Sequence, residues 1–133
     1  MTLPNLLQIV AVYAAVLGLV FVALSILTVR TRRKLRISFG SGNHETLRRR
    51  IRAHANFAEY VPMALILIAA AVMTGAHAWF VHACGIVLIA GRLCHARAIY
   101  DGTATFRAYG ILSTFAVIIA ASAYTLIGFI VQL

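Results

Sequence analysis

Acidic residues are almost absent from this chain: Glu45, Glu59 and Asp101 are the whole set among 133 residues, against twelve Lys and Arg. Lys, Arg, Asp and Glu are missing altogether from residues 1–29, 60–91 and 108–133, so every charge falls between Arg30 and Glu59 or between Arg92 and Arg107. Charged residues make up 11% of the chain and apolar ones 62%, with a mean hydropathy of +0.93. A soluble domain has about a quarter charged and half apolar residues, which excludes that class.

Other absences narrow the reading. With two cysteines, Cys84 and Cys94, about ten residues apart on one predicted helix, no disulfide framework is available, since an intrahelical bridge over that rise is out of reach. Cys94 lies beside cations, but a small thiol in an apolar helix reads as packing. No Gly-rich phosphate loop and no serine nucleophile elbow occur. His77 and His82 are five apart and far from the charged windows, whereas helical ligand pairs need three or four, so no metal is expected. The net charge of +9 would suit nucleic acid on a soluble surface. Here the cations flank apolar runs, and anionic lipid headgroups are the expected partner, with no nucleic acid.

What remains is four apolar segments, each able to cross about 30 Å of hydrocarbon as a helix of roughly 20 residues. Helices are expected near 5–29, 44–74, 78–100 and 106–131, forming one membrane domain over 1–133. The fold class is all-α: an integral membrane four-helix bundle of up-down topology. Both charged windows then emerge on one side, cytoplasmic by the positive-inside rule, and both termini lie on the other. The first segment has no basic leader and exceeds the apolar core of a signal peptide, so it reads as a retained span. Pro4 suits a first helical turn. Asn43 is a candidate N-cap for helix two with Glu45 in its first turn, and Pro62 should kink that helix. Gly75 should end it, leaving a tight hairpin into helix three with Trp79 near the interface. Asp101-Gly102 marks a turn, and Thr103 or Thr105 could cap helix four.

Within helix two, Arg48, Arg52, Asn56 and Glu59 recur at spacings of four, four and three and make one polar stripe. A carboxylate inside a span is costly unless it finds a partner, and Arg52 or an arginine of a neighbouring helix is the expected one. A purely structural ion pair would give the same stripe. Arg92 and His95 share a face of helix three with Tyr100 almost in line, the alternatives being snorkelling for Arg92 and a packing hydrogen bond for His95. Arg97 reads as lipid-facing. Arg107, at the start of helix four, could turn its guanidinium over the mouth of the bundle or snorkel to headgroups.

The run Arg52-x-x-x-Asn56-x-x-Glu59-Tyr60-x-Pro62, preceded by Val29-Arg30-x-Arg32, resembles the MAPEG family, the membrane-associated proteins in eicosanoid and glutathione metabolism, over essentially the whole chain. The stretch from Val81 to His95 is most similar to its bacterial inner-membrane branch. The resemblance implies a homotrimer with glutathione as co-substrate between subunits at the cytoplasmic end. By that likeness Arg52, Asn56, Glu59, Tyr60, Arg92 and His95 match glutathione-binding positions, as do Arg30 or Arg32 and, displaced by about one position, Tyr100. Arg107 matches the arginine that stabilises the glutathione thiolate. The implied function is conjugation of glutathione to lipophilic electrophiles or reduction of lipid hydroperoxides, with the substrate arriving from the bilayer. The competing readings are a non-catalytic glutathione-binding membrane protein and a small proton-coupled multidrug transporter. The transporter class also uses four short helices and an intramembrane carboxylate, but usually places that carboxylate in helix one, which is uncharged here.

Overall fold

The computed structural model describes residues 2–101 and 104–133. Four helices follow one another: α1 (Leu3–Leu35), α2 (Glu45–Met73), α3 (Ala78–Asp101) and α4 (Ala104–Val131). All four are long and apolar enough to cross a membrane. The chain is an all-α membrane bundle, with the charged residues gathered at one end and the termini at the other.

The observed ends differ from expectation where charge was read as a stop signal. α1 continues through the basic run to Leu35, and its 33 residues rise about 50 Å, well beyond the hydrocarbon thickness. Arg and Lys are good helix formers, so nothing in that run breaks the helix. The break comes at Arg36, which takes the left-handed conformation at φ 56°. Asn43 does not cap α2: it is left-handed at φ 61° within the turn that brings the His44 N–H to the Ser41 carbonyl at 3.0 Å, and His44 is the capping residue. Asn tolerates that backbone region well, and the turn uses it.

The α2–α3 hairpin forms as expected. Gly75, at φ 98°, turns the chain beyond Thr74, and the Ala76 N–H reaches back to the Ala71 carbonyl at 2.9 Å. Such a left-handed residue after a helix is where glycine costs least. Pro62 lies inside α2 without ending it. The Gly102 turn and the Thr103 cap fall outside the described residues, and Thr105 lies within α4.

Packing is uneven. α3 packs most extensively on α4 and α1 on α2, while α2 and α3 also touch each other and each meets a third helix; among the described residues α1 and α4 do not meet. α2 and α3 therefore form the centre. Leu17, Leu24, Phe57, Ile68, Leu88 and Val117 belong to the shared core. Leu19 and Val22 on α1 and Ile119, Leu126 and Ile130 on α4 stay exposed, which suits a hydrocarbon solvent as apolar as they are.

α3 and α4 approach closely at Gly110. A Cβ there would lie 2.5 Å from the His95 Cβ and 2.7 Å from the Gly91 carbonyl oxygen, so any side chain forces the helices apart. Gly110→Leu is expected to destabilise the detergent-solubilised protein by about 1–3 kcal/mol, the usual range for overpacking. Gly18→Ala, at a helical position with nothing within 4 Å, should instead stabilise by about 0.5–1 kcal/mol through helix propensity. Thermal unfolding of both variants checks the pair of opposite signs.

Candidate functional site

α2 carries the polar stripe into the upper half of the bundle, and the structure divides it. Asn56 is buried, whereas Arg48, Arg52 and Glu59 are exposed on the outer side of the protomer. Arg48 turns back to pair with Glu45, which Arg49 also holds at 2.8 Å. The expected partner of Glu59 is not found: among the described residues neither Arg52 nor any other cation forms an ion pair with it. Pro62 has no N–H to give, so the Ala58 carbonyl next to Glu59 also lacks its helical donor.

Inside the stripe lies a chain of hydrogen bonds joining α2, α3 and α4. The His95 ring faces the Arg107 carbonyl through Nδ1 at 3.0 Å and Asn56 Nδ2 through Nε2 at 3.2 Å. A carbonyl can only accept, so Nδ1 carries the proton and donates to it, and Nε2 accepts from the Asn56 amide. Both side chains are buried. These are hydrogen bonds between packed helices, and they tie the backbone of α4 at Arg107 to α3.

Arg92 lies one turn along α3 and is 1% exposed, so it does not snorkel. Its Nη2 donates to the Gly110 carbonyl at 2.7 Å. Nε and Nη1 are buried without a hydrogen-bond partner among the described residues. Buried polar groups are paired in the great majority of cases, and an unpaired charged donor is the costliest exception. Tyr60, on α2, sets its ring edge-on to Phe115 of α4 at 5.5 Å. The Arg107 side chain is exposed in the first turn of α4.

The structure thus brings Asn56, His95 and the Arg107 backbone into one network, with Arg92 on the same α3–α4 seam and Tyr60 against α4. Arg52 and Glu59 flank it on the outer surface. Three other candidates stand elsewhere. Arg32 donates to the Gly40 carbonyl at 2.8 Å and so fastens the loop after α1. Arg30 lines a crevice with Lys34, His44 and Arg50. Tyr100 lies under the Arg50 guanidinium at 5.9 Å, because five residues beyond His95 is about 140° around the helix.

Two further polar pairs have structural explanations. Ser25 donates to the Phe21 carbonyl at 2.9 Å, which leaves its lone pairs to accept from His54 Nε2 at 2.9 Å; the hydroxyl is not activated as a nucleophile. His82 pairs with Tyr13 at 2.9 Å. Among the described residues no three His, Cys, Asp or Glu side chains cluster as a metal site would require.

The sequence reading missed Arg50 and Gly110. Gly110 shows no signal beyond being a glycine in an apolar helix. Arg50 does have one: it is two residues from Arg52, about 200° around α2, so it had to face away from the stripe.

Asn56→Ala should destabilise by about 1–3 kcal/mol, the cost of leaving the buried His95 Nε2 without a donor. The double variant Asn56→Leu with His95→Phe, apolar on both sides, should recover most of that loss. Equal destabilisation of the two in thermal unfolding would remove the hydrogen bond as the cause.

Residues 10–127 match the family model described as MAPEG family. The chain is 38% identical over 104 residues to inner membrane protein YecN of Escherichia coli strain K12, covering 78% of this chain and 79% of that one. The same protein from Escherichia coli O6:H1 strain CFT073 matches with the same identity and coverage. With four spanning helices, the Arg52, Asn56 and Glu59 stripe and a family match over most of its length, the chain belongs to the MAPEG family.

Proposed function

We propose that this protein is a membrane-bound glutathione-dependent enzyme, assembled as a homotrimer in a bacterial inner membrane with its charged end cytoplasmic. The observation that carries the reading is Arg92, a buried guanidinium with two donor nitrogens that no atom of the described residues satisfies. An anion supplied from outside the protomer accounts for them. The exposed Glu59, with no internal cation, completes the complementarity: glutathione carries two carboxylates and one ammonium. Arg52 and Arg92 serve the carboxylates, Glu59 the ammonium, and Asn56 and Tyr60 the polar atoms between, with Arg30 or Arg32 closing the site. His95 acts by holding Asn56 and the start of α4.

Exposure of Arg52 and Glu59 on the protomer surface supports assembly, because a second copy shields charges that hydrocarbon would not tolerate. Sidedness follows from the excess of cations at one end.

Bound glutathione supplies a nucleophilic thiol for lipophilic electrophiles or lipid hydroperoxides. A thiol with an ordinary pKa of about 8.5 is mostly protonated at neutral pH. The Arg107 guanidinium favours the charged form and so holds the sulfur as thiolate. The wide apolar faces of α1 and α4 give lipid-borne substrates lateral access.

An ultraviolet difference titration of the solubilised protein with glutathione tests this. A saturable thiolate band is expected in the wild type and should vanish in Arg107→Ala with binding retained. Glu59→Gln should weaken binding by about tenfold or more, the equivalent of one charge-assisted hydrogen bond. Arg92→Met should also lose binding, yet unfold no earlier than wild type, since replacing a poorly paired buried charge by an apolar group is often neutral or stabilising. Binding by dialysis without a band would make the protein a non-catalytic binder. No binding, together with proton-coupled dye uptake lost in Glu59→Gln, would make it a transporter.

A further inference from the structure

On the face of α2 opposite the stripe, a second polar cluster is built around Arg50. The Arg50 Nη1 reaches across to α1, where it donates to the Leu27 carbonyl at 3.2 Å and to the Thr31 hydroxyl. Its guanidinium lies over the Tyr100 ring of α3 at 5.9 Å. One side of the planar group is therefore fixed by three helices. The other side, the edge formed by Nε and Nη2, makes no hydrogen bond among the described residues, and Nε is buried. The Tyr100 hydroxyl is likewise buried and without a hydrogen-bond partner among the described residues.

Two crevices meet at this residue. One, of about 400 Å³, is lined by Leu27, Glu45, Thr46, Arg49, Arg97 and Tyr100 together with Arg50. The other, of about 390 Å³, is lined by Arg30, Lys34, His44 and Arg50 among others. Two of the neighbouring cations differ from Arg50 in one respect. Arg49 is paired with Glu45 at 2.8 Å and Arg97 with Asp101 at 2.7 Å, whereas Arg50 has no acidic partner among the described residues.

We propose that Arg50 is the anchor of a site for a phosphate group, carried by an anionic membrane lipid or free in solution. A guanidinium edge of two parallel N–H donors matches two oxygens of a phosphate, a pairing that a point charge does not reproduce. Pre-fixing the far side by Leu27 and Thr31 removes the ordering cost such a long side chain would otherwise pay on binding. The Tyr100 hydroxyl and Thr46 add donors, and Arg30 and Lys34 raise the local potential. The level in the membrane favours the lipid source. Leu27 belongs to the last uncharged turn of α1 before Arg30, the boundary at which headgroup phosphates lie. This site is separate from the stripe of Arg52, Asn56 and Glu59 and does not depend on the glutathione reading.

The experiment is the thermal unfolding of delipidated protein in neutral detergent with added phosphatidylglycerol, phosphatidylcholine or inorganic phosphate, for wild type, Arg50→Gln, Arg50→Lys and Arg33→Gln. Saturable stabilisation by phosphatidylglycerol is expected, with little from phosphatidylcholine, and a half-saturating concentration raised about tenfold in both Arg50 variants. Arg33→Gln removes the same charge from an exposed position and should leave that concentration unchanged. Arg50→Lys guards against a folding defect, because it keeps the charge and loses only the paired edge. Stabilisation by inorganic phosphate alone, lost in the Arg50 variants, would support the site with the free anion as its source. Equal responses of Arg50→Gln and Arg33→Gln would overturn the proposal in favour of diffuse attraction. Displacement of the lipid by glutathione would overturn it too, by making the crevice part of the other site.

Discussion

The close approach of α3 and α4 at Gly110, where Arg92 donates to the glycine carbonyl, is the constraint on which the rest of the charged end depends. It places a full positive charge, 1% exposed, against a backbone oxygen at 2.7 Å, on the one stretch of the α3–α4 seam where a glycine lets the backbones approach. With that seam set, the next turn of α3 puts His95 against the Arg107 carbonyl, and the start of α4 is held where its first arginine can serve a site. The same seam leaves Arg92 with two donor nitrogens that meet no acceptor among the described residues. The stability of the arrangement and its incompleteness share one cause.

α2 organises the polar residues by angle. Its inward face gives Asn56 to the network with α3. Its outer face gives Arg52 and Glu59 to the protomer surface, and the side toward α1 gives Arg50 to Thr31 and Tyr100. A short basic run thus contributes to separate places because adjacent helical residues are about 100° apart. Arg48 and Arg49 are drawn back to Glu45, and Arg49 also donates to the Tyr100 carbonyl of α3 at 3.4 Å.

Much of this was legible in the sequence, and the limits have physical reasons. The four spans, the hairpin at Gly75 and the polarity of the ends follow from the length of uncharged runs, which a bilayer constrains strongly. Helical spacing places Arg48, Arg52, Asn56 and Glu59 on one stripe of α2, and Arg92 and His95 on one face of α3. It could not say that α2 is turned so that Asn56 is inside while Arg52 and Glu59 are out, because rotation about the helix axis is set by packing with α3 and α4. The end of α1 was misplaced because a change in charge was read as a change in conformation. Tyr100 was grouped with His95 although their angular separation on α3 argued otherwise.

A charge balance ties the two polar clusters together. The chain has twelve Lys and Arg and three acidic residues, and two of those three are already committed, Glu45 to Arg48 and Arg49 and Asp101 to Arg97. Only Glu59 is left to oppose the other nine cations, Arg30, Arg50, Arg52, Arg92 and Arg107 among them. These cations stand at the polar edge of a membrane bundle, where the low dielectric magnifies their mutual repulsion. The two proposals answer this one excess of charge with anions from outside the protomer, the carboxylates of glutathione on one side of α2 and a phosphate group on the other.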